Sequence, residues 1–480
     1  MRTLSRWIIT LLLASSIAGS LASAHSHTDQ ARPGPSVGLE LVGQYNNGAV
    51  GAAVEVDRNI AYLAADSGGL HLVDVGNPAA PIQFSRTTDP RLTNTRDVVR
   101  VGTTLYLAEG NEGVVVVDAS TPSVLNVIKV VQLPSFARSI ALSGGQVYVG
   151  EEGGLSAVSA AGANSALSGR VEVSYDGPDV AVEGGTAFVT TFSNDSLALL
   201  DVRNPSRPAG IRGTPVTKPT SVRVRDGIAY VGTVTGLQLI NVTSVLNPVN
   251  LGSVNVGDEV NDLDFCSGSL AVIATNGSVK VVNISNTAQP VVLASLDTAG
   301  RARGVRCQGD LVFAAVDTAG MQILRLRQDL LPTSTTIQAT GGVLATYDNS
   351  LSVTFPNGSV NEATRIADTG QTAPTQGLGA GRRAVQSFTL TAAAVDDGAP
   401  VTQFGANYTL RIDYTDAELA ALNLTESTLQ VIFWNGTAWV NVPTQRDATS
   451  NRVTATANHF TEFALVGTGP NRVYLPFVRR

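Results

Sequence analysis

Short apolar runs separated by glycine-rich turns recur from about residue 38 to residue 328. Each unit contains an alternating apolar strand, a turn, a second apolar strand with a large anchor residue, a glycine, and a third strand ending near Asp or Asn. The anchors, spaced 44, 42, 40, 42, 42 and 41 residues apart, are Tyr62, Tyr106, Tyr148, Phe188, Tyr230, Val272 and Phe313. Four short strands at this period are typical of a propeller blade, so the pattern predicts an all-β fold with a seven-bladed β-propeller over residues 38–328.

The segment 39–45 precedes the first complete unit and resembles the outermost strand of the other units. After Leu326 the chain leaves the repeat without supplying such a strand. We therefore expect residues 39–45 to pair with residues 321–326 and to complete the seventh blade, because the edge left open would otherwise favour aggregation.

One stretch of the repeat carries a family resemblance. Gly69 to Pro78 reads Gly-Leu-His-Leu-Val-Asp-Val-Gly-Asn-Pro, with a weaker echo from Leu197 to Pro205. This pattern resembles the LVIVD-type repeat of bacterial and archaeal surface proteins. The resemblance implies a β-propeller in an exported protein, and it brings no agreed catalytic residues.

A different β pattern begins after a predicted linker at residues 329–340. Its strands are predicted at residues 351–355, 386–392, 408–414, 428–434, 439–442, 452–457 and 463–466, with one helix at residues 415–422 opened by a capping box of Thr415 and Glu418. About seven strands over residues 341–467 predict a β-sandwich. The tail, residues 468–480, is interpreted either as a final strand or as a sorting tag.

His459-Phe460-Thr461 stands just before the last predicted strand of this region. Together with residues 351–366, this segment loosely resembles the β-sandwich module of ankyrins and netrin receptors, some relatives of which cut themselves within a His-Phe-Ser sequence. Self-cleavage between Phe460 and Thr461 would need the Thr461 hydroxyl to attack the preceding carbonyl while His459 takes the proton. The alternative is a strand that packs Phe460 and Phe463 into the core.

The N-terminus has the charged, apolar and Ala-x-Ala regions of a secretory signal peptide, residues 1–24. Cleavage near Ala24 predicts a secreted or cell-surface protein without a transmembrane span in the mature chain, beginning with a linker at residues 25–37. A free amine followed by His25 and His27 could chelate Cu(II) or Ni(II). The alternative is a polar chain end that binds nothing.

Composition narrows the chemistry. The 32 basic and 39 acidic residues give a net charge of −7, and the basic residues are not clustered into a patch that would bind a phosphate backbone. No nucleic-acid partner is therefore expected. Four histidines and two cysteines exclude thiolate zinc clusters.

Cys266 and Cys307 occupy nearly equivalent places in neighbouring repeats and could form a disulfide between two blades. The alternation of Leu263 and Phe265 argues against this pairing, because it turns Cys266 to the other face.

Propellers usually bind ligands where the loops leading into the innermost strands converge. Applying this to the present chain is an analogy at the level of the fold. Here those positions include three guanidinium groups (Arg96, Arg138 and Arg303) and three carboxylates (Asp97, Asp179 and Asp262). They could hold a Ca²⁺ ion, an anion or a sugar. The alternative is that they cap backbone groups and pair between blades.

These patterns favour an exported, non-enzymatic binding protein with a protein or glycan ligand at the cell surface, in which the propeller recognises and the sandwich is a stalk or adhesive module. The first alternative is an enzyme with a metal-assisted site at the propeller mouth. The second is a self-processing surface protein that cleaves between Phe460 and Thr461.

Overall fold

The computed structural model describes residues 38–469 except 47, 49, 88, 174–178, 267–268, 372 and 380. The predicted signal peptide, the linker at residues 25–37, His25, His27 and residues 470–480 lie outside the described residues. No helix in the part of the chain that the structure describes is long and apolar enough to span a membrane.

The first 28 strands cover the repeat region. In chain order they are β1 (Leu39–Tyr45), β2 (Ala53–Asp57), β3 (Ile60–Ala64), β4 (Leu70–Asp74), β5 (Ile82–Arg86), β6 (Asp97–Val101), β7 (Thr104–Ala108), β8 (Val114–Thr121), β9 (Val124–Val131), β10 (Ala137–Ser143), β11 (Gln146–Glu151), β12 (Gly154–Ser159), β13 (Leu167–Glu172), β14 (Val180–Glu183), β15 (Thr186–Thr191), β16 (Ser196–Asp201), β17 (Ala209–Pro215), β18 (Pro219–Arg225), β19 (Ile228–Thr233), β20 (Gly236–Asn241), β21 (Val249–Asn255), β22 (Val260–Phe265), β23 (Leu270–Thr275), β24 (Ser278–Asn283), β25 (Val291–Asp297), β26 (Ala302–Gln308), β27 (Leu311–Val316) and β28 (Gly320–Leu326).

Within the described residues these strands form seven antiparallel four-stranded sheets. Sheets 1 to 6 take consecutive strands from β2 to β25, and sheet 7 has the order β26-β27-β28-β1. The innermost strands, β2, β6, β10, β14, β18, β22 and β26, each contact the innermost strand of the next sheet, and β26 contacts β2. The sheets therefore follow one another around an axis in a propeller arrangement.

Sheet 7 contains the ring closure predicted from the sequence. The strand β1 pairs antiparallel with β28, with Leu39 opposite Leu326 and Tyr45 opposite Met321. Tyr45 is buried at this closure. The first strand of the ring thus supplies the outer strand of the last sheet.

The middle strands of each sheet are buried on both faces, because neighbouring sheets cover them from either side. The aromatic anchors lie in these strands and are all buried: Tyr62, Tyr106, Tyr148, Phe188, Tyr230 and Phe313. His71 illustrates the same environment. Alternation along β4 predicts a solvated side chain, and this prediction is wrong, since His71 is 2% exposed and its Nδ1 lies 3.0 Å from the Tyr45 hydroxyl.

The described residues of the C-terminal region form eleven strands and one α-helix. The strands are β29 (Thr333–Ile337), β30 (Gly342–Ala345), β31 (Leu351–Phe355), β32 (Thr364–Asp368), β33 (Arg382–Ala394), β34 (Gln403–Asp413), β35 (Gln430–Trp434), β36 (Trp439–Asn441), β37 (Thr444–Asp447), β38 (Arg452–His459) and β39 (Glu462–Thr468). They form a six-stranded sheet of order β29-β32-β33-β39-β35-β36 and a five-stranded sheet of order β30-β31-β34-β38-β37. Residues of both sheets share one hydrophobic core that includes Phe388, Tyr408 and Phe463.

The helix α1 spans Asp416–Ala421, and its capping box between Thr415 and Glu418 is present as predicted. Short 3₁₀ turns lie at Gly162–Asn164, Gln328–Leu330 and Glu426–Thr428. The prediction of a linker over residues 329–340 is wrong in part, because β29 is an edge strand paired with β32. Its Thr-Ser-Thr-Thr sequence has little hydrophobic pattern but high β-propensity.

Candidate functional site

One polar cavity lies where the seven innermost strands begin. We call it the axial mouth, and its lining residues are Ala52, Ala53, Arg96, Asp97, Arg138, Ser139, Asp179, Thr220, Arg223, Asn261, Asp262, Arg303 and Gly304. All six charged residues that the sequence singled out are among them. The cavity volume is ≈ 130 Å³.

The register of the innermost strands brings these residues together. In each strand the position directly after the mouth is a buried apolar residue, namely Val54, Val98, Ile140, Val180, Val222, Leu263 or Val305. These side chains pack between neighbouring sheets, and a slip by one residue would turn each of them to the other face. The apolar layer therefore fixes which side chains lie at the mouth.

Asp97, Asp179 and Asp262 occupy equivalent places and make the same backbone bridge. In each, one carboxylate oxygen accepts the N–H of the following residue, at 2.8 to 2.9 Å. The other oxygen accepts a backbone N–H of the next sheet, from Ile140 at 3.0 Å, Val222 at 2.8 Å and Val305 at 3.0 Å respectively. These carboxylates thus tie neighbouring sheets together, which is the structural role that the sequence left as an alternative.

Two of the three aspartates also belong to an ion network. Arg223 Nη1 donates to Asp179 Oδ2 at 2.9 Å, and Arg223 Nη2 donates to Asp262 Oδ1 at 2.6 Å. Arg306 Nη1 donates to Asp262 Oδ2 at 3.1 Å, and its Nε donates to Glu55 at 3.3 Å. Burial lowers the pKa of the Arg223 guanidinium, but the Asp262 and Asp179 carboxylates outweigh this effect. The pKa of Arg223 therefore lies above its ordinary value.

The sequence prediction missed the residues that hold this network, Arg223, Arg306 and Glu55. The repeat itself could have indicated them. Arg223, Arg306 and Glu55 stand two positions after Ser221, Gly304 and Ala53, which occupy the same place in their repeats as the mouth aspartates. Side chains two residues apart in a strand point to the same side. Extending the repeat alignment by two residues would have found them.

Asp97 differs from the other two aspartates. Among the described residues it has no ion-pair partner, and burial raises its pKa to about 7, against the lowering effect of Arg306 and Arg223. Beside it on the next sheet lies Ser139, which is 5% exposed. The Ser139 hydroxyl is buried and, within the described chain, has no hydrogen-bond partner.

Arginines and acidic residues alternate at the rim. Arg138 pairs with Glu152, and Arg303 pairs with Asp317. Arg96 lies 3.6 Å from Asp66, which also approaches Arg303 at 3.7 Å. The ring of Phe136 lies between two of these cations, with the Arg96 and Arg138 guanidinium carbons 5.7 and 5.3 Å from its centroid.

The three mouth aspartates are engaged within the protein. Each carboxylate accepts two backbone N–H groups, and Asp179 and Asp262 also bind arginine. Across the described ranges, no group of three or more His, Cys, Asp or Glu side chains is placed to hold a metal ion. Ca²⁺ prefers six to eight oxygen ligands, so the described mouth residues would need further oxygen ligands to hold one.

Cys266 and Cys307 form a disulfide with a Cα–Cα distance of 5.3 Å. The strand β22 ends at Phe265, so Cys266 lies just beyond the alternation that argued against the pairing. Cys307 belongs to β26, and its N–H donates to Asp264 at 2.8 Å. The disulfide therefore joins sheets 6 and 7 beside the ion network.

The His459-Phe460-Thr461 segment connects the two sheets of the C-terminal region. The Thr461 hydroxyl donates to the Trp434 carbonyl at 2.6 Å, and the His459 carbonyl accepts from Tyr408 at 2.5 Å. Phe460 packs against the aromatic cluster of Phe355, Phe404 and Tyr408. These contacts hold the Thr461 hydroxyl in a structural hydrogen bond.

Four stretches of the chain, residues 52–89, 94–132, 176–211 and 265–298, match the LVIVD repeat. They fall on sheets 1, 2, 4 and 6. The chain thus carries LVIVD repeats, as the sequence predicted, and it carries them in a propeller arrangement. Among curated proteins, none matches its sequence.

Several solved structures are similar in fold at 12% identity. The computationally designed protein Ika8 has a TM-score of 0.44, and the match covers 60% of this chain and 100% of that one. A chain of the mitotic checkpoint complex has a TM-score of 0.49, with 67% and 99% covered. The β-propeller domain of Cps50 (Swd1) from Myceliophteria thermophila has a TM-score of 0.47, with 61% and 99% covered.

Proposed function

We propose that this protein is an exported, non-enzymatic binding protein. In this proposal residues 38–328 are a seven-bladed β-propeller whose axial mouth recognises a protein or glycan at the cell surface. Residues 341–467, with the edge strand β29, form a β-sandwich that serves as a stalk or adhesive module.

The observation that carries the proposal is the character of the axial mouth. Its charged side chains are engaged in bridges and ion pairs, and no histidine or cysteine is among the described residues that line it. Nucleophilic catalysis needs a nucleophile hydrogen-bonded to a base. Among the described lining residues, the Thr220 hydroxyl donates to the Val260 carbonyl and the Ser139 hydroxyl has no hydrogen-bond partner. A polar opening surrounded by guanidinium groups and the half-buried Phe136 ring suits recognition instead.

Binding by the mouth is tested with a charge-reversal pair. The labelled full chain is titrated onto intact bacterial cells and onto an array of bacterial surface glycans. We expect Arg96→Glu with Arg138→Glu to weaken binding about tenfold or more, since charge-assisted contacts are lost. The control, Arg203→Glu with Arg207→Glu, changes two exposed arginines between β16 and β17 and should bind as the wild type does.

Equal binding by the mouth variant and the wild type would place recognition elsewhere. Export is tested separately by expression in a bacterial host followed by N-terminal sequencing of the protein outside the cytoplasm. The proposal expects a mature chain beginning at His25. An uncleaved chain that stays in the cytoplasm would contradict that part.

A further inference from the structure

Sheets 2 and 3 leave two polar groups with unused bonding capacity in the axial mouth. Asp97 and Ser139 stand at equivalent positions of neighbouring innermost strands, and both line the cavity. Each Asp97 oxygen accepts one backbone N–H, from Val98 and Ile140. A carboxylate has about four acceptor positions, so about two remain.

The Ser139 hydroxyl is the second and independent observation. It is buried without a partner in the described chain, whereas the hydroxyl of Ser221, its equivalent on sheet 5, lies 3.2 Å from the Val260 carbonyl. Gly150 leaves room for it, because a Cβ there would lie 2.6 Å from the Ser139 oxygen. A buried hydroxyl without a bond costs stability, and its presence at a cavity wall points to a ligand that completes it.

The charges around the channel favour a cation. Five carboxylates stand against two guanidinium groups in the layers at and just below the mouth: Asp97, Asp179, Asp262, Asp264 and Glu55 against Arg223 and Arg306. The rim arginines are balanced by their own acidic partners. A positive group at Asp97 would meet the one carboxylate of the three mouth aspartates that has no ion-pair partner among the described residues.

The dimensions of the mouth select a slender ligand. A volume of ≈ 130 Å³ holds only a few water-sized groups. An ammonium on an unbranched stem fits within this volume.

We propose that Asp97 and Ser139 bind the primary ammonium group of a lysine side chain presented by a protein partner. This inference rests on the proposed function and names the partner's chemistry. The ammonium would donate to a free acceptor position of the Asp97 carboxylate and to the Ser139 oxygen, and the lysine methylenes would extend from there toward the rim.

The test uses Nα-acetyl-lysine amide as the probe, titrated into the isotope-labelled full chain and followed by NMR. Nα-acetyl-norleucine amide, glucosamine and CaCl₂ are titrated in parallel. We expect the lysine probe to shift resonances of residues 97–99 and 139–141. Asp97→Asn and Ser139→Ala should each raise its Kd about tenfold to a hundredfold. Ser221→Ala, the matched control, should leave its Kd unchanged.

A second variant guards against a folding defect in Asp97→Asn. Ala141→Arg places a guanidinium where Arg223 stands next to Asp179, and it should abolish binding of the lysine probe while the rim is kept. Equal affinity for norleucine, tighter binding of glucosamine or Ca²⁺, or no effect of Ser139→Ala would each overturn the lysine assignment. If the probe fails while cell binding still depends on Arg96 and Arg138, the proposed function stands and only this inference falls.

Discussion

The two sides of the axial channel share one backbone design and differ in how its charges are used. On the side of sheets 4 to 7, Asp179 and Asp262 bridge to the next sheet and also bind Arg223 and Arg306. On the side of sheets 2 and 3, Asp97 makes the same bridge without an arginine. The position that is arginine in sheets 5 and 7 is Ala141 in sheet 3. The alanine at position 141 therefore leaves Asp97 with free acceptor positions, whereas Arg223 and Arg306 at the equivalent positions link neighbouring sheets.

The largest expected effect on stability is on the side of sheets 4 to 7, where arginines bind the aspartates. Arg306→Ala leaves Glu55 and Asp262 without this guanidinium, and breaking these partly buried ion pairs costs at most about 3 to 5 kcal/mol, the range for fully buried pairs. Urea unfolding monitored by circular dichroism measures the change in the free energy of unfolding. Arg203→Ala, at an exposed pair with Asp201, is the control, and similar losses in both variants would contradict the comparison.

The disulfide strengthens the same side. Replacing Cys266 and Cys307 by serine removes a cross-link over 41 residues, and we expect a loss of about 3 to 4 kcal/mol from the loop-closure relation. The free energy of unfolding is compared for the double variant and the oxidised wild type. Reduced wild-type protein that is as stable as the oxidised form would show that the cross-link adds nothing.

On the side of sheets 2 and 3, Asp97 predicts a pH dependence of the stability. Burial raises the pKa of Asp97 to about 7 in the folded protein, above the value of about 4 in an unfolded chain. Its contribution to stability is therefore full below pH 4 and is lost as the pH rises to 7, by at most about 1.4 kcal/mol per pH unit. Asp97→Asn should remove this slope, and Ala141→Arg should reduce it by supplying a cation. The measurement is the wild-type minus variant stability between pH 4 and pH 8, and a flat difference would contradict it.

The smallest effect distinguishes two serines. Ser139→Ala removes a hydroxyl without a partner in the described chain and should leave the stability of the ligand-free protein unchanged or slightly higher. Ser221→Ala removes a bonded hydroxyl and should cost about 1 kcal/mol. Paired thermal and urea unfolding curves measure both. Equal losses in the two variants would mean that Ser139 has a structural bond.

The repeat register predicted the positions of the mouth residues and the closing strand, because these follow from spacing alone. It did not predict their partners. Arg223 bonds to residues of two other sheets, and such contacts depend on which repeats stand next to each other in space. The alternation rule also failed for His71, because a middle strand of a sheet is buried on both faces. For Cys266 it failed because the strand ends one residue earlier.

The pairing of β1 with β28 has a consequence for how the protein is made. The strand that closes the ring is synthesised first, while its partner is synthesised after the other strands of the ring. Such a long-range contact forms late, since the entropy of closing the intervening loop must be offset by structure already present. Until residues 320–326 have emerged, the segment 39–45 remains an unpaired strand that a chaperone or a second copy of the chain can capture.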